Sequence, residues 1–176
     1  MALGMRILLT NDDGVHAPGL ELLERIARRF SDDIWIVGPA EEQSGTGHSL
    51  TLTRPIRLRR LGERRFAVAG TPTDSVLMAL FHVMKDARPD VILSGINRGA
   101  NLAEDVTYSG TVSAAMEGAL AGVRSIALSQ CYAREGMGDT VPFAAAEAWG
   151  ERVLGPLLGD DMPPGTLVNV NFPAID

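Results

Sequence analysis

Several residue types are scarce in this chain of 176 residues, and each scarcity excludes a class of protein. The single cysteine, Cys131, cannot form an intrachain disulfide, and without a second cysteine or clustered histidines the sequence offers no spacing for a soft-metal site. No apolar run approaches the roughly 18 residues that span a bilayer, so we predict no contact with a membrane. The single lysine, Lys85, is followed by Asp86, so the Gly-Lys-Ser/Thr signature of a P-loop NTPase is absent.

Composition and charge narrow the remaining classes. Hydrophobic residues make up 45% of the chain and the mean hydropathy is +0.08, which is typical of a globular protein. The length suits one domain, and we predict a single domain over residues 1–176. A net charge of −6 argues against a nucleic-acid polymer as partner but permits a small phosphorylated metabolite. Because the N-terminus lacks the features of a secretory signal, we predict a cytoplasmic protein.

The periodicity of apolar residues predicts strands that alternate with helices. One helix is predicted to begin at an N-cap, Thr73, and to bury a stripe formed by Val76, Leu77, Leu80, Phe81 and Met84. The strands at 56–60 and 65–68 alternate apolar and polar residues, which is typical of a hairpin with one exposed face. The order predicts an α/β fold, a doubly wound and mostly parallel sheet with a β-hairpin insertion. The remaining predicted strands lie at 6–10, 34–37, 91–94, 125–129 and 166–171, the remaining helices at 18–30, 111–121 and 143–154, and further loops at 136–142 and 159–165.

Two adjacent carboxylates follow the first predicted strand, in the motif Asn11-Asp12-Asp13-Gly14. In an open α/β sheet, ligands bind in the crevice outside the carboxyl ends of the strands. Side chains alternate along a strand, so Asp12 and Asp13 converge only if the backbone turns there, which Gly14 permits. Adjacent carboxylates repel each other unless a proton or cation intervenes. The motif predicts a catalytic metal site, and the alternative is a local Asx turn followed by a helix cap.

Polar residues after two other strands are predicted to meet this pair. Ser44 lies in the loop after 34–37, and Asn97 follows the strand at 91–94. Parallel strands present their carboxyl ends at one edge, so two carboxylates, a hydroxyl and an amide oxygen would form an all-oxygen set that suits Mg²⁺, Mn²⁺ or Ca²⁺. Taken singly, Ser44 also fits an ordinary loop serine and Asn97 a turn residue beside glycine.

The motif Tyr108-Ser109-Gly110-Thr111 begins a predicted helix, where unsatisfied backbone N–H groups and the helix dipole bind anions. Plain N-capping by Ser109 or Thr111 is the alternative. Opposite a metal held by the acidic pair, phosphate binding becomes the preferred interpretation.

The three histidines receive separate predictions. His16, three residues beyond Asp13, and His48, in the loop that carries Ser44, are candidates to protonate a leaving group. A structural role for His16 is the alternative. His82 is predicted to pack on a helix.

Taken together, these motifs resemble the survival protein SurE family of metal-dependent nucleotidases. The blocks occur in the family's order from residue 5 to about residue 173. They are MRILLTNDDGVHAPG (5–19), QSG (43–45) with SLT (49–51), GTPTD (70–74), SGINRGAN (94–101) and YSGTVSAAMEG (108–118).

The resemblance implies a Rossmann-like core that hydrolyses nucleoside 5′- and 3′-monophosphates, and also short polyphosphate, with one divalent metal ion. Mg²⁺ or Mn²⁺ is expected, with Ca²⁺ as a non-native occupant. Family metal ligands fall on Asp12, Asp13, Ser44 and Asn97. Family members continue beyond residue 176 into an arm exchanged between subunits, so the resemblance implies a homodimer or homotetramer whose arm this chain lacks. The candidate phosphate-binding residues are Asn97, Asn101, Ser109, Gly110 and Thr111.

The mechanism and its rivals remain open at this point. A water could attack the phosphorus, or Asp12 or Asp13 could attack directly and form an aspartyl phosphate. A sensor that binds nucleotide or phosphate without turnover is the alternative function. A phosphoacceptor receiver domain also places an acidic pair after its first strand, but it needs an aspartate where this chain has Asn97 and a lysine near Gln130.

Overall fold

The computed structural model describes residues 4–132, 143–159, 162–163 and 165–174. The loop predicted at 136–142 lies outside the described residues, as do parts of the loop predicted at 159–165. The seven strands and four α-helices of the described part are β1 (Ile7–Thr10), α1 (Pro18–Ala27), β2 (Ile34–Pro39), β3 (Leu58–Arg60), β4 (Arg65–Val68), α2 (Pro72–Met78), β5 (Val91–Arg98), α3 (Gly110–Leu120), β6 (Arg124–Gln130), α4 (Ala144–Gly159) and β7 (Leu167–Phe172).

The strands form one sheet in the order β3-β4-β2-β1-β5-β6-β7. Every neighbouring pair is parallel except β3 and β4, which form the antiparallel hairpin at one edge. The predicted α/β fold with a mostly parallel sheet and a hairpin is therefore confirmed. Because β1 lies centrally between β2 and β5, the residues that follow β1 lie beside the ends of both neighbours.

Helices cover both faces of the sheet, as the continuous apolar runs of the central strands require. Ile7, Leu9 and Leu93 belong to a core cluster that includes residues of α1 and α4. Leu8 and Ile92 belong to a second cluster on the opposite face, with residues of α2 and α3. Among the described residues, no helix is both long and apolar enough to cross a membrane.

Strand β5 is longer than predicted. The sequence predicts that this strand ends at residue 94, but the structure continues it to Arg98, with a register shift between Ser94 and Asn97 in the pairing with β6. Gly95 has φ +138°, and a Cβ there would lie 2.3 Å from the carbonyl oxygen of Leu128 in the neighbouring strand. Pairing with β6 overrides the local turn signal, and the irregularity carries Asn97 to the sheet edge.

The second helix also differs from its prediction. Its N-cap is Thr71 rather than Thr73, in a capping box with Asp74, with proline at the first helical position. The helix then widens into a π-helical turn over Ala79–Val83. This turn shifts the buried stripe, so Phe81 and His82, both predicted to pack, are exposed.

Candidate functional site

The hydrogen bonds that hold the turn after β1 do not involve the side chains of Asp12 and Asp13. Gly14 has φ +104°, as the predicted turn requires. The Asn11 side chain donates to the carbonyl of Gly14 at 2.8 Å, so Asn11 rather than either aspartate supports the turn. Helix α1 begins after Ala17, whose side chain makes no capping bond. The alternative reading of Asp12 and Asp13 as turn and cap residues therefore does not describe this loop.

Asp12 packs against the first turn of α3. Its Oδ1 accepts a hydrogen bond of 2.5 Å from the Thr111 hydroxyl, and the residue is only 4% exposed. A Cβ on Gly110 would lie 2.7 Å from the Asp12 Cβ, so only glycine allows this approach. The pKa of the Asp12 carboxyl is raised to about 6: burial is the largest cause, the hydrogen bonds from Thr111 oppose it, and the neighbouring Asp13 charge adds to the rise.

Asp13 turns toward other elements. Its Oδ2 accepts a hydrogen bond of 3.3 Å from the backbone N–H of Arg98, at the end of β5. Burial raises the pKa of Asp13, the Arg98 N–H opposes that rise, and the Glu42 charge adds to it. Each carboxylate thus contacts the start or end of a different element, while the two residues remain adjacent in the chain.

The other two predicted metal ligands lie on neighbouring segments. Asn97 is half-buried at the end of β5, and its amide nitrogen donates to the carbonyl of Gly99 at 2.8 Å, so its oxygen is the atom available to a cation. Ser44 is exposed, and its hydroxyl donates to Glu42 at 2.8 Å. The backbone N–H of the preceding residue, Gln43, donates to the carbonyl of Asp12, which ties the start of this loop to the acidic pair.

The segment 43–48, which we call the Ser44 loop, is anchored at both ends. Beyond the bond from Gln43, the backbone N–H of Gly47 donates to the carbonyl of Tyr108, just before α3. His48 Nε2 lies 2.8 Å from Glu117 Oε2 on α3. His48 therefore ties the Ser44 loop to α3. No local pattern indicates this pair, because its members lie 69 positions apart in the chain.

The predicted phosphate-binding residues fall into two groups. Ser109 caps α3 by accepting from the Val112 N–H, as the capping alternative expected, while Gly110 and Thr111 form the first turn beside Asp12. The contacts of Asn101 fit a phosphate ligand least. Asn101 is buried, and its amide donates to the Ser129 hydroxyl at 2.8 Å, a contact that joins the chain after β5 to β6.

These donors fit a hard divalent ion. Within the residues that the structure describes, no three His, Cys, Asp or Glu side chains group tightly enough to hold a metal by themselves. The candidate set therefore combines two carboxylates with neutral hydroxyl and amide oxygens, a chemistry that suits Mg²⁺ or Mn²⁺ rather than zinc. The raised pKa values of Asp12 and Asp13 indicate charge that a cation would compensate. The assignment of these residues as ligands stays a prediction.

The comparison with known families decides the classification. The family described as "Survival protein SurE" matches residues 7–176. The chain belongs to the SurE family. The resemblance found in the sequence motifs is therefore confirmed.

Individual SurE proteins match along nearly the whole chain. The protein named 5′-nucleotidase SurE from Rhizorhabdus wittichii is 74% identical over 170 residues, which cover 97% of this chain and 67% of that protein. Its namesake from Erythrobacter litoralis is 61% identical over 171 residues, with the same coverage. The crystal structure of the SurE protein from Aquifex aeolicus superposes with a TM-score of 0.85 at 38% identity, covering 97% of this chain and 66% of that one. This chain spans about two thirds of the length of these relatives.

Proposed function

We propose that this chain is a divalent-metal-dependent nucleotidase that hydrolyses nucleoside 5′-monophosphates to nucleosides and phosphate. The observation that carries the proposal is the packing of Asp12 against Gly110 and Thr111, which brings an acidic pair to a helix N-terminus. The helix end attracts a phosphate, and the pair attracts a cation that offsets the phosphate charge. The names of the relatives, 5′-nucleotidase SurE, support an enzyme and nucleotides as its substrates.

Asp12, Asp13, Ser44 and Asn97 would hold one divalent ion, Mg²⁺ or Mn²⁺. When bound, this ion supplies Lewis acidity toward a phosphoryl oxygen and an attacking water. The two carboxylates contribute the negative charge, and the Thr111 hydroxyl fixes the orientation of Asp12. The Ser44 loop is held near the pair by its bonds to Asp12 and to the segment before α3.

The first turn of α3 would bind the phosphate oxygens. The Ser109 hydroxyl already satisfies the Val112 N–H and the Thr111 N–H stabilises the Asp12 carboxylate, so the backbone N–H of Gly110 is the one assigned to the substrate. Gly110 adds no side chain that would keep a ligand away from this backbone. His16 lies in a cavity wall that it shares with Asp13, and its role as proton donor to the leaving group remains a prediction.

Water is the nucleophile we favour over an aspartate. Asp12 is almost fully buried and one of its oxygens is bound by Thr111, so an in-line approach to a phosphorus atom is restricted. A single turnover with ³²P-labelled AMP, quenched in acid, should release the label as phosphate and leave none on the protein. Stoichiometric trapping of radioactive phosphate on either aspartate would refute attack by water.

The proposal is tested by phosphate release from AMP in the presence of Mn²⁺ or Mg²⁺, with EDTA as the metal-free control. Asp12→Asn should abolish release, whereas Asp86→Asn, an exposed carboxylate, should retain it. Parallel assays with 3′-AMP and tripolyphosphate test the wider substrate range. Binding of AMP without phosphate release from the intact chain would support the sensor alternative and refute the enzyme.

A further inference from the structure

A cavity of about 530 Å³ opens beside Asp13. Its walls come from the turn and helix start at 13–19, from residues 40–42 after β2, and from Arg98 and Phe143. The volume lies within the range of about 300–1,000 Å³ that is common for small-molecule pockets, and it is far larger than a phosphate group needs. Because Asp13 belongs both to the cavity wall and to the candidate metal site, a ligand in this cavity would reach that site.

One side of the cavity is apolar and contains an aromatic ring. Val15, Ala17, Pro18 and Phe143 contribute to this wall. The Phe143 ring packs on the start of α1, where a Cβ on Gly19 would lie 3.2 Å from the ring Cζ. Phe143 is half-buried against the core, so its ring presents a supported flat surface rather than a mobile side chain. Such a surface suits a nucleobase, since every base has a π-face.

The polar rim of the cavity carries more negative than positive charge. Asp13, Glu41 and Glu42 face one permanent cation, Arg98. This balance disfavours a second phosphate in the cavity and favours an uncharged group with hydrogen-bond donors. Ribose hydroxyls and the amino groups of nucleobases are such donors, and carboxylates accept from them.

The two carboxylates give the substrate a direction. Asp12 faces the first turn of α3, which would bind phosphate, whereas Asp13 faces the cavity. We infer that the cavity binds the nucleoside moiety of the substrate, with the base against Phe143 and the ribose near the acidic rim. This inference rests on the proposed function, because it assigns the non-phosphate part of the same substrate.

A second cavity supplies the matched control. It has a volume of about 470 Å³ and is lined by residues that include Arg54, Arg57 and Ala69, on the hairpin side of Glu41. Arg57→Ala would weaken the binding of a nucleoside in this second cavity but not the binding of a nucleoside beside Asp13. Arg57 has no role in the proposed site.

The kinetic test compares AMP with ribose 5-phosphate, which has the same phosphate and sugar but no base. Phe143→Ala should raise KM for AMP about tenfold and leave KM for ribose 5-phosphate within about twofold, because only AMP loses a stacking partner. Ala17→Phe, which fills part of the cavity with a larger side chain, should have the same selective effect and guards against a folding defect in the first variant. Arg57→Ala should change neither KM. Equal increases for both substrates, or an AMP-specific increase in Arg57→Ala alone, would overturn the inference.

A binding test without turnover separates this inference from the proposed function. Adenosine titrated into the metal-free chain should shift the NMR signals of Val15, Ala17 and Phe143, and Ala17→Phe should abolish those shifts. If no substrate releases phosphate but adenosine still binds here, the proposed function fails and the nucleoside site stands. If phosphate is released but adenosine shifts only signals at Arg54 and Arg57, the nucleoside assignment fails alone.

Discussion

The burial of Asp12 predicts a pH-dependent stability that can be measured without any substrate. Folding raises the pKa of this carboxyl from 3.8 to about 6, chiefly by burial. A raised pKa in the folded state means that Asp12 stabilises the fold fully only below pH 3.8, where both states are protonated. This contribution is lost as the pH rises through about 6, because the buried carboxylate must then carry its charge.

The size of the effect follows from the two pKa values. At about 1.36 kcal/mol for each pKa unit, the metal-free chain should lose about 2 kcal/mol of unfolding free energy between about pH 4 and pH 7 through Asp12 alone. Other carboxyl groups also titrate in this interval, so the measured quantity is the difference from Asp12→Asn. The asparagine oxygen still accepts the Thr111 hydroxyl but carries no charge, so the variant lacks this pH-dependent loss.

The assay is urea unfolding of both proteins in EDTA at several pH values, followed by circular dichroism. The unfolding free energy of the wild type should fall relative to Asp12→Asn by about 2 kcal/mol over that interval. Saturating Mn²⁺ should remove the relative loss for the wild type, since a cation compensates the ionised pair and binds only the folded state. Parallel pH profiles in EDTA would refute the reasoning, because they would mean that Asp12 is not buried as described.

Two further predictions concern the parts that hold the acidic pair. Gly110→Ala should lower kcat/KM for AMP by at least about 100-fold, because the new Cβ would lie 2.7 Å from the Asp12 Cβ and displace that residue. Gly159→Ala, at a helix end with open space around it, should retain activity. Equal activities of the two variants would contradict the packing of Gly110 on Asp12. His48→Ala should weaken Mn²⁺ binding about fivefold in calorimetry, because it releases the Ser44 loop from α3. His82→Ala, at an exposed position, should bind Mn²⁺ with unchanged affinity. Unchanged affinity in His48→Ala would mean that the Ser44 loop does not need the contact with Glu117.

Sequence patterns predicted most of the fold because the central strands are continuous apolar runs. The run Val91-Ile92-Leu93 indicated a strand buried on both faces, and the structure places it between β1 and β6. The extension of that strand was missed because Gly95 and Asn97 favour turns by local preference. The strand continues because it pairs with Ser129 and Gln130 of β6, which lie far away in the sequence. The N-cap at Thr71 carried a readable signal, a proline at the next position and Asp74 three residues on.

The motifs placed the acidic pair and the start of α3 at the carboxyl edge, but they did not show how these two parts contact each other. Adjacent aspartates and a glycine-bearing helix start were visible as motifs. Their direct packing, with Gly110 against Asp12, depends on the angle at which α3 meets the sheet, which no local pattern encodes. The pairing of His48 with Glu117 was hidden for the same reason, and the role of His48 as a proton donor stays a prediction.

The two carboxylates have different hydrogen-bond partners, Thr111 for Asp12 and the Arg98 N–H for Asp13, and this difference distinguishes the two sides of the site. The start of α3 stabilises two anions, since the hydroxyl and N–H of Thr111 stabilise ionised Asp12 and the Gly110 N–H is assigned to phosphate. Asp13 lines a cavity whose acidic rim repels phosphate and whose aromatic wall suits a base. Under the proposed function, a nucleoside monophosphate would therefore bind at this edge in a single direction, with its ester bond beside the pair. Glu41→Lys, which reverses a charge at the rim, should weaken the repulsion of phosphate from the cavity and make inorganic phosphate a stronger competitive inhibitor.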